Sequence, residues 1–342
     1  MHLPYNFSYD DVIKVPCKTL REYPEEVIRS AIDTVIDYYY QNGFPYYDHS
    51  KAEREFESLL KFDTSRILIG GNILQQFMLG LNTANSFHPE MWHVRCNNAK
   101  TPYEVFSDRD LFRTALRKRV KYSDTKLVAY NVRKSLKAFG VQSVSNFRPT
   151  VAKWVYSTFA PRNGNVLDPC AGYGGRLLGA LSTDKLLTYH GIDANRKTQE
   201  NNGEMAEYMT RLGANTGVVL DAIPFEDSSV GCNYDLVFTS PPYFNIEKYA
   251  DDSTQSWVRY KTYEMWVNGF LRPLIEKSYF ALKQGGFFAL NVGNPIIDDT
   301  KKIATALFGE PSVYHMRLSK MLGRGNKSSI SHKEEPLFIW KK

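Results

Sequence analysis

The stretch that decides the fold is Asn165-Val-Leu-Asp-Pro-Cys-Ala-Gly-Tyr-Gly-Gly-Arg176. It starts as a short apolar strand that ends in an acidic residue, Asp168, and continues into a glycine-rich turn before a helical pattern begins at Arg176. Glycine accepts positive φ values and lets a ligand approach the backbone, so this order predicts a nucleotide-type cofactor site at the end of a buried strand. The spacing differs from G-x-G-x-x-G, so the turn alone does not identify the cofactor.

Helix and strand patterns alternate around this stretch from about residue 145 onward, which predicts a parallel sheet with helices on both faces. The predicted strands are Asn165–Asp168, Thr188–Asp193, Gly217–Leu220, Tyr234–Thr239 and Phe287–Val292, followed by a hairpin of Ser312–Leu318 and Pro336–Trp340 around the polar loop Gly323–His332. Helical spacing over Glu25–Tyr40 indicates that the first part of the chain is mainly helical. We therefore expect a mainly helical region over residues 1–120, with a role in target recognition, and a catalytic domain over residues 121–342.

A second motif, Tyr234-Asp-Leu-Val-Phe-Thr-Ser-Pro-Pro-Tyr-Phe244, places a polar and aromatic loop after another apolar strand. An aromatic amino nitrogen becomes nucleophilic only when its lone pair localises, and hydrogen-bond acceptors aimed at its N–H bonds favour this. The Ser240 hydroxyl and the Pro241 carbonyl are candidate acceptors, and the Pro241-Pro242 pair stiffens the turn. Tyr243 offers a ring on which a planar base can stack.

Together, the two motifs resemble the amino-methyltransferases of DNA, which modify the 4-amino group of cytosine or the 6-amino group of adenine. The resemblance covers about residues 145–342. It implies a Rossmann-like S-adenosylmethionine methyltransferase fold with a mostly parallel seven-stranded sheet, S-adenosylmethionine as cofactor, and a target base that is flipped out of the duplex. It also implies that no metal takes part and that catalysis falls to Ser240, Pro241, Pro242 and Tyr243.

The same resemblance implies where the cofactor is held. The turn after Asp168 lies against the methionine end, and the segment Asn146-Phe-Arg-Pro-Thr-Val-Ala-Lys153 resembles the helix that covers this end. A carboxylate at Asp193 can accept both ribose hydroxyl protons, and Asp221 follows the third strand, where it can take the adenine amino group. The expected cofactor residues are Asp168, Pro169, Ala171, Gly172, Gly174, Asp193, Asp221, Phe147, Arg148 and Thr150.

The segment from Arg113 to Lys137 carries nine basic residues against one acid, Asp124, in a chain whose net charge is +6. Neutralising phosphates with such residues gives salt-sensitive affinity for nucleic acid of any sequence. This interpretation assigns phosphate contacts to Arg113, Arg117, Lys118, Arg119 and Lys121. The other interpretation is a solvated helix face.

The four cysteines lie far apart, without a Cys-x-x-Cys pair or a neighbouring His cluster, which disfavours both zinc binding and a disulfide framework. The amino terminus lacks the features of a signal peptide, and no run of about 20 apolar residues occurs. We expect a cytoplasmic protein without a membrane partner.

The favoured interpretation is a site-specific DNA methyltransferase that acts on N4 of cytosine, because a Ser before Pro-Pro-Tyr resembles the cytosine-modifying members. An N6-adenine DNA methyltransferase, an RNA base methyltransferase and a non-catalytic nucleic-acid-binding subunit are the alternatives. The expected partner is DNA, duplex or single-stranded. A cognate restriction nuclease is considered as a further partner, and the oligomeric state stays open.

Overall fold

The computed structural model describes residues 3–4, 6–138, 140–317, 321–322, 330–331 and 334–342. The helices are α1 (Tyr9–Val12), α2 (Cys17–Leu20), α3 (Glu25–Asn42), α4 (Ala52–Leu60), α5 (Leu81–Ser86), α6 (Pro102–Ser107), α7 (Arg109–Tyr122), α8 (Ala129–Leu136), α9 (Pro149–Phe159), α10 (Gly175–Leu181), α11 (Arg196–Arg211), α12 (Ser256–Arg259), α13 (Tyr263–Trp266), α14 (Arg272–Ala281) and α15 (Ile297–Phe308). A π-helical turn, Val267–Leu271, joins α13 to α14. In the described part of the chain, none of these helices has the length and apolar character that crossing a membrane requires.

The strands are β1 (Leu68–Ile69), β2 (Ile73–Leu74), β3 (Arg95–Cys96), β4 (Asn165–Asp168), β5 (Thr188–Asp193), β6 (Gly217–Ala222), β7 (Tyr234–Thr239), β8 (Glu247–Lys248), β9 (Leu282–Asn291), β10 (Ser312–Arg317), β11 (Met321–Leu322), β12 (Ile330–Ser331) and β13 (Glu334–Lys341). Nine of them form one sheet in the order β1-β2-β10-β13-β9-β7-β4-β5-β6. The strands β6, β5, β4, β7 and β9 are parallel, and β13 runs antiparallel to both β9 and β10.

The predicted fold class is confirmed, since all seven predicted strands lie side by side in this sheet with the closing hairpin β10–β13 at one end. The prediction of seven strands is two short. The hairpin β1–β2 extends the sheet, because β2 pairs in parallel with His315 and Met316 of β10. Strands of two residues carry no periodicity, so the sequence pattern could not indicate them. Most of the predicted loop Gly323–His332 lies outside the described residues.

The chain divides into two compact units, residues 1–47 with 89–144 and residues 48–88 with 145–342. A single division at residue 120 does not follow these ranges, because residues 48–88 belong to the second unit and residues 121–144 to the first. The first unit is mainly helical, as expected. Its recognition role and the catalytic role of the second unit stay predictions.

Two hydrophobic clusters, one on each face of the sheet, form the core of the second unit. Adjacent side chains on a strand point to opposite faces, and accordingly Val166 of β4 belongs to one cluster and Leu167 to the other. The first cluster includes Val151 and Leu177 from α9 and α10, while the second includes Leu274 from α14. Because helices cover both faces, the open edge at the strand ends is where a ligand can enter.

The contact between α9 and α10 requires a glycine. A Cβ atom at Gly179 would lie 2.5 Å from the Cβ of Ala152 and 2.9 Å from the backbone nitrogen of Lys153. Both atoms belong to α9 and have little freedom to move. The helix that starts at the glycine-rich turn is therefore held against its neighbour at backbone distance.

We expect Gly179→Ala to lower the free energy of unfolding by about 1–3 kcal/mol, since overpacking displaces α9. The matched control is Gly203→Ala in α11, where the nearest atom to an added Cβ, on Leu220, is 3.9 Å away. That change should raise the free energy of unfolding by about 0.5–1 kcal/mol through helix propensity. Urea denaturation measures both, and an equal gain in both variants would contradict the close packing of α9 on α10.

Candidate functional site

A cavity of about 250 Å³ lies in the second unit at the carboxyl ends of the central parallel strands. The two sequence motifs meet there because β4 and β7 are parallel neighbours, so the segments that follow them emerge side by side. The predicted site residues that line the cavity are Phe147, Arg148, Pro169, Ala171, Gly172, Asp193, Ser240, Pro241, Pro242 and Tyr243.

Asp168 lies beneath the turn in a buried ion pair. Its carboxylate accepts a hydrogen bond from Nε of Arg176 at 2.8 Å and another from the hydroxyl of Tyr189 at 2.8 Å. The side chains of Asp168 and Arg176 are 1% and 5% exposed. Arg176 also donates to the carbonyl of Cys170 and lines the cavity. The Asp168 carboxylate fixes the turn from below through Arg176, which the sequence analysis did not identify. A contact between Asp168 and a cofactor stays a prediction.

The turn itself has the backbone that its glycines were expected to allow, since φ is +56° at Gly172 and +73° at Gly174. Gly174 lies behind the cavity wall, where an added Cβ would come 2.5 Å from Cε of Met205. At Gly175 the requirement is space, because a Cβ would lie 2.2 Å from the carbonyl oxygen of Phe147. The turn is therefore pressed against the chain that precedes α9.

Asn146 clamps this contact, and the sequence analysis did not predict it. Its side-chain oxygen accepts from the backbone nitrogen of Gly175 at 3.1 Å, while its nitrogen donates to the carbonyl of Tyr173 at 2.6 Å. One amide thus satisfies a donor at the start of α10 and an acceptor in the turn. The only sequence signal was its position as the first residue of the quoted segment Asn146–Lys153.

Asp193 ends β5 with its carboxylate in the cavity wall. It accepts hydrogen bonds from the backbone nitrogens of Gly172 at 2.8 Å and Asn195 at 2.9 Å. Burial raises the pKa of Asp193, and these two hydrogen bonds oppose that increase. A carboxylate has about four acceptor positions, so it can still accept from a ligand hydroxyl.

The structure places Asp221 away from the cavity, and its predicted contact with adenine is not supported by this position. Its carboxylate is half exposed and lies 2.8 Å from Nε2 of His190, outside the cavity lining. The cavity wall after β6 is formed instead by Pro224, Phe225 and Glu226. After Asp221 the chain turns at Pro224, and this turn brings Phe225 and Glu226 to the cavity. Burial raises the pKa of Glu226, whose carboxylate pairs with Arg259 at 2.8 Å.

The segment before α9 is divided between the cavity and the core. Phe147 and Arg148 line the cavity, whereas the hydroxyl of buried Thr150 donates to the carbonyl of Phe77 at 3.2 Å. Arg148 donates through Nη1 to the carbonyl of Asn146 at 3.1 Å, and its buried Nε has no hydrogen-bond partner among the described residues. Burial lowers the pKa of Arg148. Thr150 is therefore a packing residue, and Arg148 presents an unsatisfied cationic donor.

The Ser-Pro-Pro-Tyr loop is held by residues that the sequence analysis missed. The Ser240 hydroxyl donates to the side-chain oxygen of Asn291 at 3.4 Å, and Asn291 donates to the carbonyl of Pro336 at 3.1 Å. Burial, together with the nearby Glu335 carboxylate, raises the pKa of the Tyr243 hydroxyl. The sequence offered little indication of these contacts, since Asn291 and Pro336 lie within the strands β9 and β13 and not in a loop motif.

The insertion after this loop closes part of the cavity. Glu247, Tyr249, Thr254 and Gln255 line it, and the Tyr249 hydroxyl donates to the carboxylate of Glu247. Burial raises the pKa of Glu247. The cavity thus combines several acidic acceptors with two arginines, a mixture suited to a ligand that carries hydroxyl, amino and carboxylate groups.

The basic segment belongs to the first unit, where α3 supplies partners that a local count of charges did not include. Nε of Arg113 donates to Asp33 at 2.9 Å, and Arg117 pairs with Glu25. The segment itself contains one acid, but helix packing brings these two arginines acids that are distant in sequence.

Arg119 is likewise engaged within the unit, since its Nε donates to the hydroxyl of Ser135 on α8 at 2.7 Å. The ammonium group of Lys121 lies 5.3 Å from the ring centre of Tyr122, a residue that is 70% exposed. Phosphate contact by Lys118, Lys121 and the three arginines stays a prediction.

No family model matches the chain, and no curated protein matches its sequence. Solved structures resemble part of it. The tRNA (m1A58) methyltransferase TrmI from Aquifex aeolicus is 14% identical, with 58% of this chain and 70% of that chain covered and a TM-score of 0.40. TrmN from Thermus thermophilus is 16% identical, with coverages of 57% and 48% and a TM-score of 0.39. A SAM-dependent O-methyltransferase from Thermotoga maritima is 13% identical, with coverages of 58% and 67% and a TM-score of 0.40. At these values the likeness concerns the chain path alone.

We expect Asp168→Asn to lower the free energy of unfolding by about 3–5 kcal/mol, because it leaves the buried Arg176 without its counter-charge. The control is Glu310→Gln, which removes an exposed ion pair with Lys301 at 3.6 Å and should change the free energy of unfolding by less than about 1 kcal/mol. Thermal and urea denaturation compare the two variants. Equal effects would show that the Asp168–Arg176 pair contributes no more than a surface pair.

Proposed function

We propose that the protein transfers a methyl group from S-adenosylmethionine to an exocyclic amino group of a nucleic-acid base. The observation that carries this proposal is the convergence of the glycine turn and the Ser-Pro-Pro-Tyr loop on one cavity. A turn of this kind serves many nucleotide cofactors, whereas the loop adds acceptors and a ring suited to a planar amino-bearing base. Their meeting in one cavity argues for a two-substrate site.

The residues present fit S-adenosylmethionine along its whole length. Asp193 would hold the ribose hydroxyls, while Phe225 and Glu226 would contact the adenine. The unsatisfied Nε of Arg148 would bind the methionine carboxylate, which explains a buried cationic donor without a protein partner. When bound, the cofactor supplies an electrophilic methyl group on a sulfonium.

The loop residues act on the amino group of the target base. Ser240 donates its own proton toward Asn291, which leaves the lone pairs of its oxygen free to accept from the amino group. This acceptor and the Pro241 carbonyl favour localisation of the nitrogen lone pair. Tyr243 stacks on the base.

In its finer form, the proposal is N4 methylation of cytosine in DNA, with the base flipped into the cavity and with phosphates held by the basic segment of the first unit. The support for cytosine is the serine at position 240. N6 methylation of adenine and methylation of an RNA base use the same acceptors and ring, so both compete with it. A cognate restriction nuclease and a purely scaffolding role are the remaining proposals about partners.

One experiment tests these alternatives together. The purified full-length chain is incubated with labelled S-adenosylmethionine and separate pools of duplex DNA, single-stranded DNA, tRNA and rRNA, followed by nucleoside analysis. We expect N4-methylcytosine in DNA. N6-methyladenine or label in RNA would replace the finer proposal, and an absence of label from all pools, with cofactor binding retained, would favour the scaffolding role.

We expect Asp193→Ala to weaken binding of S-adenosylhomocysteine by about 1.5–3 kcal/mol, because a charge-assisted contact is lost. Asp221→Ala is the matched control, since the carboxylate of Asp221 lies outside the cavity lining, and its affinity should equal that of the parent. Calorimetry measures both. An equal loss of affinity in the two variants would show that Asp221 also contributes to the cofactor site.

The parent's affinity for S-adenosylhomocysteine should also depend on pH. Burial raises the pKa of Asp193, so its carboxylate becomes protonated at a higher pH than an ordinary aspartate when the pH falls. Protonation removes acceptor capacity, and the affinity should therefore decrease toward acid pH in the parent but not in Asp193→Ala. A pH-independent parent would contradict the role given to this carboxylate.

Substitutions of Ser240 and Tyr243 should affect different steps, turnover and substrate binding respectively. Ser240→Ala should leave S-adenosylhomocysteine binding intact and lower kcat by about 10²-fold, as when one preorganised hydrogen bond is lost. Tyr243→Ala should weaken productive substrate binding by about 1–3 kcal/mol, least on single strands, and Tyr243→Phe should restore much of it. Phe280→Ala, which removes a ring that is 66% exposed on α14, is the control. Parental rates in both loop variants would refute the proposed function.

A further inference from the structure

Gln76 presents an unsatisfied donor to the same cavity. Its side chain lines the cavity, and its Nε2 atom is buried without a hydrogen-bond partner among the described residues. A buried N–H group that loses water and gains no partner costs free energy, so such a group points to a ligand or an ordered water. Gln76 belongs to residues 48–88, which the sequence analysis placed in a separate recognition region.

The position of Gln76 follows from the register of the sheet. Leu74 of β2 pairs with Met316 of β10, and Met316 pairs with Glu335 of β13. Neighbouring strands lie about 4.8 Å apart, so these residues form one row across three strands. Gln76 follows β2 by two residues. Gln76, Met316 and Glu335 all line the cavity, at the end away from β5 and β6.

The last residue of this row, Glu335, lies near the Ser-Pro-Pro-Tyr loop. An added Cβ at Gly293 would lie 3.1 Å from Oε1 of Glu335 and 2.7 Å from Cε2 of Tyr243. The Glu335 carboxylate and the Tyr243 ring therefore border the same small space. The strand order places Gln76 at the same end of the cavity as these two groups, whereas Asp193, at the end of β5, belongs to the opposite end.

The two groups have complementary polarity. Nε2 of Gln76 can only donate, and an ionised Glu335 carboxylate can only accept. A base with an exocyclic amino group presents an N–H donor beside an unprotonated ring nitrogen, which is N3 in cytosine and N1 in adenine. Deamination reverses both groups: the amino group becomes a carbonyl and the ring nitrogen gains a proton. An acceptor next to a donor therefore distinguishes an amino base from its deaminated counterpart.

We propose that Gln76 and Glu335 form the edge that recognises the amino-bearing base, with Gln76 donating to the ring nitrogen and the Glu335 carboxylate disfavouring a carbonyl in place of the amino group, whose two N–H bonds are left to Ser240 and Pro241. This inference rests on the proposed function and names the substrate edge that the site reads. Gln76 is then a specificity-determining residue rather than a catalytic one.

The test measures recognition separately from turnover. Fluorescent single-stranded oligonucleotides carry one cytosine, or one uracil at the same position, and a second pair carries adenine or hypoxanthine. Their binding to the full chain is measured with saturating S-adenosylhomocysteine. The variants are Gln76→Leu and Gln76→Glu, with Gln75→Leu as the exposed neighbouring control, and Glu335→Gln with Glu334→Gln as its control.

For one of the two pairs, we expect the parent to bind the amino base more tightly than its deaminated counterpart. Gln76→Leu should reduce this preference by about tenfold, the usual effect of one hydrogen bond. Gln76→Glu should reduce it further, since it places an acceptor opposite the ring nitrogen. Glu335→Gln should also reduce the preference, whereas Gln75→Leu and Glu334→Gln should keep it. All variants should bind S-adenosylhomocysteine as the parent does, and on a methylated substrate Gln76→Leu should raise KM more than it lowers kcat.

A parental preference in both Gln76 variants would overturn the inference and leave the amide to a buried water. A loss of S-adenosylhomocysteine affinity in Gln76→Leu would also overturn it, because the residue would then belong to the cofactor end. The binding arm needs no turnover, so a protein that methylates nothing but loses its base preference in Gln76→Leu refutes the proposed function and retains the recognition edge. Methylation that is unchanged in the Gln76 variants would instead retain the proposed function and overturn the recognition edge.

Discussion

The buried ion pair between Asp168 and Arg176 is the constraint on which the rest of the site depends. Two opposite charges are nearly excluded from water at the end of the central strand, and each is stable there only because the other is present. The pair joins the end of β4 to the first turn of α10 across the glycine turn. Because the guanidinium also holds the Cys170 carbonyl, the turn cannot shift without separating the charges.

The other contacts of the turn build on this fixed point. Asn146 holds it from the side of α9, and Asp193 holds it from the side of β5. Three segments that are distant in sequence therefore converge on a backbone of a few residues with little side-chain volume. That convergence leaves an open space at the strand ends, and the Ser-Pro-Pro-Tyr loop forms its far wall.

The sequence predicted those parts of the fold whose signals are local. The strands of the sheet were correct because runs such as Tyr234–Thr239 are apolar and bounded by turns. The glycine-rich turn and the Ser-Pro-Pro-Tyr loop indicated two walls of the cavity, because their composition is also a local signal. The predicted cavity residues mostly belong to these loops, since a strand end and the turn after it must share one edge of a parallel sheet.

The residues that the sequence did not indicate reach the site through long-range pairing. Gln76 depends on a two-residue strand that joins the sheet beside β10, and Glu335 depends on the register of the last hairpin. Asp221 lies outside the cavity lining because the chain continues past it through Pro224 to Glu226. Likewise, the arginines of α7 looked unopposed because their acids lie on α3, many residues earlier.

The raised pKa of Asp193 affects the binding enthalpy that calorimetry measures. Accepting two hydroxyl protons from a ligand favours the ionised carboxylate, whereas burial raises the pKa of this group in the free protein. If Asp193 binds ligand hydroxyls as proposed, binding at acid pH releases protons into the buffer. The observed enthalpy then contains the ionisation heat of that buffer, so measurements in acetate and in an amine buffer would differ even though the protein and its ligand are the same.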